Sequence, residues 1–247
     1  MNHLDYCDAL ELEVERFAAA MSLVTGHAGV AACPGWTVDD VVLHLGTIHR
    51  WANELVRTRA TARIPRITPN LDEVAVSPEW LRQGGLELVK TLRDANPDEV
   101  MWAWGFDQHV RFWSRRQVHE TLVHRIDLEL AGRIEPIVEA SLASDAIDEF
   151  LRNLQKVTNA STETALRGAG ERLVFRANDA DATWTITLRD SGFDLGLETD
   201  DVDTLVEGPS LELLLAMVRR RSVLAAGLDV TGDSELSVFW LANSAYD

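Results

Sequence analysis

Apolar residues recur at helical spacing through roughly the first 160 residues, then give way to short alternating runs. Residues 4–24 carry the first such stripe. The stretch "CPGWTVDDVVLHLGTIHRWANELV" begins a second helix, with Thr37 as N-cap and Asp40 three residues on as the other half of a capping box. Its buried face is predicted to hold Val41, Val42, Leu45, Ile48, Ala52 and Leu55, with His44 and His49 at opposite edges. A proline-punctuated loop around residues 64–78 leads to a third helix in "SPEWLRQGGLELVKTLRDA", where two adjacent glycines weaken the helical signal. The fourth covers about 112–131 and is expected to stop at Gly132, and a fifth lies near 140–159.

Beyond these helices, "ERLVFRAND", "ATWTITLRD" and "GFDLGLE" alternate between apolar and polar and are separated by Asn, Asp and Gly, as in strands joined by hairpins. "PSLELLLAMVRRR" reads as an amphipathic helix, and "LDVTGDSEL" as a strand turning into a last helix. The pattern predicts an α+β chain: a four-helix bundle over residues 1–160 and a small α/β domain over 161–247.

Composition narrows the class. A hydrophobic fraction of 46% in 247 residues is enough for a packed core, and no apolar run reaches the length of a membrane span. The acidic start lacks the order of a signal peptide, and two cysteines make no disulfide framework, so a cytoplasmic protein is expected. A net charge of −17 disfavours nucleic acid and anionic membranes as partners, and leaves the oligomeric state open. An anionic small molecule would need a local group of arginines. Cys33 is expected to be a packed turn residue, and Trp36, Trp51, Trp102, Trp104 and Trp113 are expected in the core.

The chemistry concentrates in "RRQVHETLVHRIDLELAG". It resembles the H-E-x-x-H zinc motif, but the second histidine comes one residue late. On a helix His119 and His124 then point roughly 140° apart, whereas Glu120 and His124, four apart, converge within about 40°. If a metal binds, the local pair is Glu120 with His124, and a third ligand must come from elsewhere. Arg116, Glu120, His124 and Asp127 share a sector of roughly 80°, opposite Val118, Leu122 and Ile126. That sector is either a solvated face with an Arg116–Glu120 ion pair or an inward face that holds an ion. Spacing leaves both open, and leaves open which of His44 and His49 meets this helix.

Taken together, "CPGWTVDDVVLHLGTIHRWA" and "FWSRRQVHETLVHRIDLELAG" closely resemble the mycothiol-dependent maleylpyruvate isomerase family. That family has a DinB-like metal-binding bundle and a smaller α/β domain, which "EGPSLELLLAMVRRRS" and "LDVTGD" resemble in turn. The resemblance implies His44, Glu120 and His124 as ligands of a divalent metal, zinc by preference, with His49 and His119 outside the set. It implies mycothiol as the thiol partner and a small electrophile, which can be anionic, as substrate. A thiolate would add to a cis double bond, and rotation and elimination would give the trans product. Where relatives read tryptophan-glycine-arginine, this chain has Met217-Val218-Arg219-Arg220-Arg221. Arg220 matches the family's functional arginine and is expected to contact the thiol cofactor or a substrate carboxylate. Asp127 is either an acceptor for the His124 ring or a surface acid. Mycothiol transfer onto a xenobiotic or metabolite, and a binding module without chemistry, are the alternatives.

Overall fold

A computed structural model of the chain describes residues 1–161, 164–196 and 201–245. Its contacts divide it into two compact units, Met1–Pro136 and Ile137–Asp247. This division lies before the boundary expected near residue 160. The fifth helix, α5 (Ala140–Ala160), packs on a helix and a strand of the second unit and belongs there.

The first unit is four helices: α1 (His3–Met21), α2 (Val38–Thr58), α3 (Pro78–Asp94) and α4 (Val110–Ala131). Each of α1 and α2 packs against both α3 and α4, so the order around the bundle is α1, α3, α2, α4. Leu10, Val14 and Phe17 of α1, Val41, Leu45 and Leu55 of α2, Leu88 and Leu92 of α3, and Val118, Leu122 and Ile126 of α4 are all fully buried. Burying side chains of this size contributes about 1.5–3 kcal/mol each, which outweighs modest local propensities. The capping box at α2 is present: the Thr37 N–H donates to Asp40 at 2.8 Å and the Asp40 N–H to the Thr37 hydroxyl at 3.3 Å.

Helix α3 runs unbroken through Gly84 and Gly85, and the reason is close approach. A Cβ on Gly84 would come within 2.4 Å of the Arg50 guanidinium, and one on Gly85 within 2.6 Å of Val14. The glycines cost helix propensity and let α1 and the Arg50 side chain approach. Helix α4 ends at Gly132, as expected, but Gly132 stays near-helical at φ −81°, and the left-handed residue is Arg133 at φ 58°.

The second unit holds a five-stranded sheet in the order β3-β2-β1-β4-β5. Its strands are β1 (Arg172–Ala177), β2 (Thr183–Arg189), β3 (Gly192–Gly196), β4 (Thr204–Gly208) and β5 (Asp229–Gly232), with α6 (Ser210–Met217) and α7 (Ser234–Asn243) between and after them. Neighbours are antiparallel except β1 and β4. Leu197 and Glu198, the end of the third expected strand, lie outside the described residues. Strand β4 is an addition to the expected elements. Thr204, Val206 and Gly208 are its buried positions while Leu205 is only partly covered, so the strand shows no apolar alternation. Helix α6 is buried along Leu213–Met217 rather than amphipathic, and the three arginines lie beyond its end.

Candidate metal centre

The turn before α2 sets one wall of the site. Gly35 takes φ 85°, a conformation suited to glycine, and the backbone of Trp36 is held on both sides, its N–H to the Cys33 carbonyl at 2.9 Å and its carbonyl to the Val30 N–H at 3.0 Å. The Trp36 ring lies 5.1 Å from the imidazole of His44, two turns into α2. Trp113 is buried and Trp51, Trp102 and Trp104 are part-buried, but Trp36 keeps 37% of its surface exposed. It is therefore not the core residue expected of it.

Helices α2 and α4 face each other here. His44 Nε2 is 3.3 Å from Glu120 Oε1, and His124 Nε2 is 3.4 Å from the same oxygen. One ligand atom from each of the three residues lies within 4.8 Å of the others, the only such histidine–carboxylate or cysteine group among the described residues. An ion with bonds of about 2.0–2.2 Å in tetrahedral geometry separates its ligand atoms by about 3.3–3.5 Å. The spacing and the donor set, two imidazoles and a carboxylate, fit a zinc-like divalent cation.

Surrounding groups fix each ligand. His124 Nδ1 pairs with Asp127 Oδ2 at 2.9 Å, which leaves Nε2 facing Glu120 and His44. Asp127 is 1% exposed, so it is the ring's partner and not a surface acid. Arg116 donates to Glu120 Oε2 at 2.9 Å. The sector of Arg116, Glu120, His124 and Asp127 therefore faces inward, and the solvated-face alternative fails.

The electrostatics follow from burial and partners. Burial pushes the Glu120 carboxyl upward, but hydrogen bonds with His124 and His44 and the charge of Arg116 outweigh it and hold the group well below 4.5. Burial likewise pulls His124 down, but its bonds to Asp127 and Glu120 win and raise it to about 9. The pocket is thus built to stabilise positive charge between two carboxylates.

The two neighbouring histidines do other work. His49 is fully buried and its Nε2 lies 2.9 Å from the Thr121 hydroxyl. That hydroxyl donates to the Gln117 carbonyl at 2.7 Å, so it accepts from the His49 ring. Burial lowers His49 to about 3, which keeps it neutral. His119 is buried edge-on to Tyr6, 6.4 Å between ring centres. Arg220 belongs to the second unit. Its backbone N–H caps the Leu215 carbonyl at 2.7 Å and its guanidinium donates to the Val218 carbonyl at 2.7 Å. Arg219 ends the helix in a left-handed conformation at φ 59°, and Arg221 pairs with Glu212 at 2.7 Å.

A four-helix bundle presenting two histidines and a carboxylate, joined to a mixed-sheet unit, defines the chain as a candidate bundle metalloprotein. Among curated proteins none matches it in sequence. A family model described as the mycothiol maleylpyruvate isomerase N-terminal domain matches residues 9–129, and one described as the MDMPI C-terminal domain matches 141–237. The chain belongs to the mycothiol-dependent maleylpyruvate isomerase family, a family of enzymes. Two solved structures share its fold. A crystal structure of a histidine-to-alanine mutant of the mycothiol-dependent maleylpyruvate isomerase is 14% identical, with a TM-score of 0.59 over 94% of this chain and 93% of that one. A second structure of the isomerase is 15% identical, with a TM-score of 0.56 over 87% and 88%.

Proposed function

We propose that this enzyme uses a divalent cation, zinc by its donor set, and a low-molecular-weight thiol, mycothiol by its family, to isomerise a small cis-configured electrophile. One observation carries the proposal. Ligand atoms of His44, Glu120 and His124 converge from two helices at spacings of 3.3 and 3.4 Å, and Asp127 and Arg116 restrain two of the three.

When bound, the cation supplies Lewis acidity that lowers the pKa of a thiol and yields a thiolate at neutral pH. The chain's residues arrange the rest. Asp127 holds the His124 ring so that Nε2 is presented, and Arg116 holds Glu120 through its outer oxygen. Trp36 and the partly exposed side chains of His44 and Glu120 leave the cluster open to solvent on one side. The thiolate forms a C–S bond at the alkene carbon remote from a carbonyl, and the π electrons move to the enolate. Rotation about the resulting single bond and loss of the same thiolate give the trans alkene, so the thiol is regenerated. Arg220 lies in the second unit, and its planar fork makes it the residue proposed there to recognise a carboxylate.

The relatives' structures are named for maleylpyruvate. The alternative reading keeps the same cation and thiol and transfers the thiol onto a xenobiotic or metabolite, where it is retained as a thioether. Assays with mycothiol and a cis carbonyl-conjugated acid, followed by ultraviolet absorbance and thiol titration, separate the two. Turnover with the thiol conserved supports isomerisation, and loss of thiol with thioether product supports transfer. Turnover without any thiol contradicts both.

A further inference from the structure

The two oxygens of Glu120 have different surroundings. Oε1 faces His44 Nε2 at 3.3 Å and His124 Nε2 at 3.4 Å, whereas Oε2 receives the Arg116 guanidinium at 2.9 Å. Arg116 lies one turn earlier on the same helix, and its side chain is only 10% exposed. A carboxylate with both oxygens available can chelate a cation through both. Doing so here would require Oε2 to give up a charge-assisted hydrogen bond in a partly desolvated pocket, where such bonds are strong.

Resting on the metal reading above, we propose that Arg116 is a positioning residue that limits Glu120 to one ligand oxygen and so keeps a coordination position open for the thiol. Three protein ligand atoms leave a fourth place in a tetrahedral set, the condition that separates catalytic from structural zinc sites. A carboxylate freed to bind through both oxygens would fill that place or crowd it. The guanidinium has a second effect of the same sign: a fixed positive charge beside the cluster favours an incoming thiolate over the neutral thiol. Lysine at this position would retain the charge but not the flat, directed donor.

The test uses the full chain loaded with cobalt(II), whose visible absorption is most intense in four-coordinate sites, intermediate in five-coordinate ones and weak in six-coordinate ones. The parent is expected to show the intense bands, and added thiol a sulfur-to-cobalt charge-transfer band. Arg116→Met is expected to bind about one cobalt still, with weakened visible bands and thiol affinity lower by about 10–100-fold. Arg116→Lys is expected to restore part of the thiol affinity but not the four-coordinate spectrum. Identical spectra and thiol affinities in parent and Arg116→Met overturn the proposal. X-ray absorption of the zinc-loaded parent gives a second measurement that no variant's folding affects: one carboxylate oxygen in the zinc shell is expected, and two at similar distance overturn it. If the folded parent takes up neither cobalt nor zinc, the metal reading itself fails, an outcome distinct from a loaded site with a chelating Glu120.

Discussion

Helix α4 carries two clusters of buried and half-buried polar and charged groups, one toward α1 and one toward α2, and they are built on different plans. Toward α1, Arg125 reaches Glu13 at 2.7 Å and Glu129 at 2.6 Å, while Arg16 holds the other oxygen of Glu13 at 2.9 Å. Two guanidiniums meet two carboxylates at hydrogen-bonding distance, with only Glu129 Oε2 left unpartnered among the described residues. Toward α2, two imidazole nitrogens approach one carboxylate oxygen at 3.3 and 3.4 Å, longer than good hydrogen bonds and close to the spacing of ligands around an ion. Burial alone does not identify a reactive site, because the Arg125–Glu13 pair is the more deeply buried of the two. The distinction is whether carboxylates are held in short guanidinium pairs or imidazole and carboxylate ligand atoms gather around common space.

The largest expected effect breaks the first cluster. Arg125→Ala leaves Glu129 without its guanidinium and Glu13 with Arg16 alone, and is expected to cost about 3–5 kcal/mol in urea unfolding, while His44, Glu120 and His124 stay in place. A comparable loss from Arg125→Met combined with Glu13→Leu and Glu129→Leu would contradict the view that this cluster is closed and structural, since an apolar replacement of the set is expected near neutral.

Next in size is Asp127→Asn, which keeps the shape and weakens the acceptor behind His124. Zinc affinity, measured against a chromophoric chelator, is expected to fall about 10–100-fold with far-ultraviolet circular dichroism unchanged. Thr121→Val removes the acceptor of the buried His49 and is expected to cost about 1–2 kcal/mol of stability with no change in ion uptake. Loss of metal in that variant would place His49 in the wrong cluster.

The smallest effect is graded and concerns pH. In the ion-free protein, burial opposes the His124 imidazolium, but Asp127 and Glu120 outweigh it and move the group from 6.5 to about 9. The raised value contributes stability that is complete below about 6.5 and is lost as pH rises through about 9. Ion uptake runs the opposite way, because it displaces that proton. Apparent zinc affinity is expected to climb by up to about tenfold per pH unit toward 9, then level, in titrations at fixed ionic strength. A flat profile would mean that His124 is not a ligand.

Much of this was legible in the sequence, and the omissions have physical causes. Thr37 and Asp40 announced the start of α2, and the periodicity of α4 placed Glu120 and His124 on one side and His119 on another. Spacing within one helix carries no information about which helix faces it, so the pairing of His44 rather than His49 with Glu120 came only from the family resemblance. The same limit hid the role of Arg116. An i,i+4 ion pair looks alike on a solvated or a buried face, and only the packing of α2 against α4 tells them apart. Trp36 was expected in the core on residue type, and the tight turn at Gly35 presents it beside His44 instead. Strand β4 escaped because its parallel pairing with β1 is long-range and its inward residues include Thr204 and Gly208. Helix α5 was assigned to the bundle because amphipathicity predicts that a face is buried, not what covers it.

The central claim is that His44, Glu120 and His124 form one ion site, and metal content tests it most directly. Protein purified without added metal or a metal-binding tag is expected to carry about one zinc or similar divalent ion per chain, and a folded Glu120→Ala, His124→Ala variant none. A folded parent that holds no ion, even after incubation with zinc at neutral pH and removal of the excess, would contradict the account and reduce the cluster to a buried hydrogen-bond network.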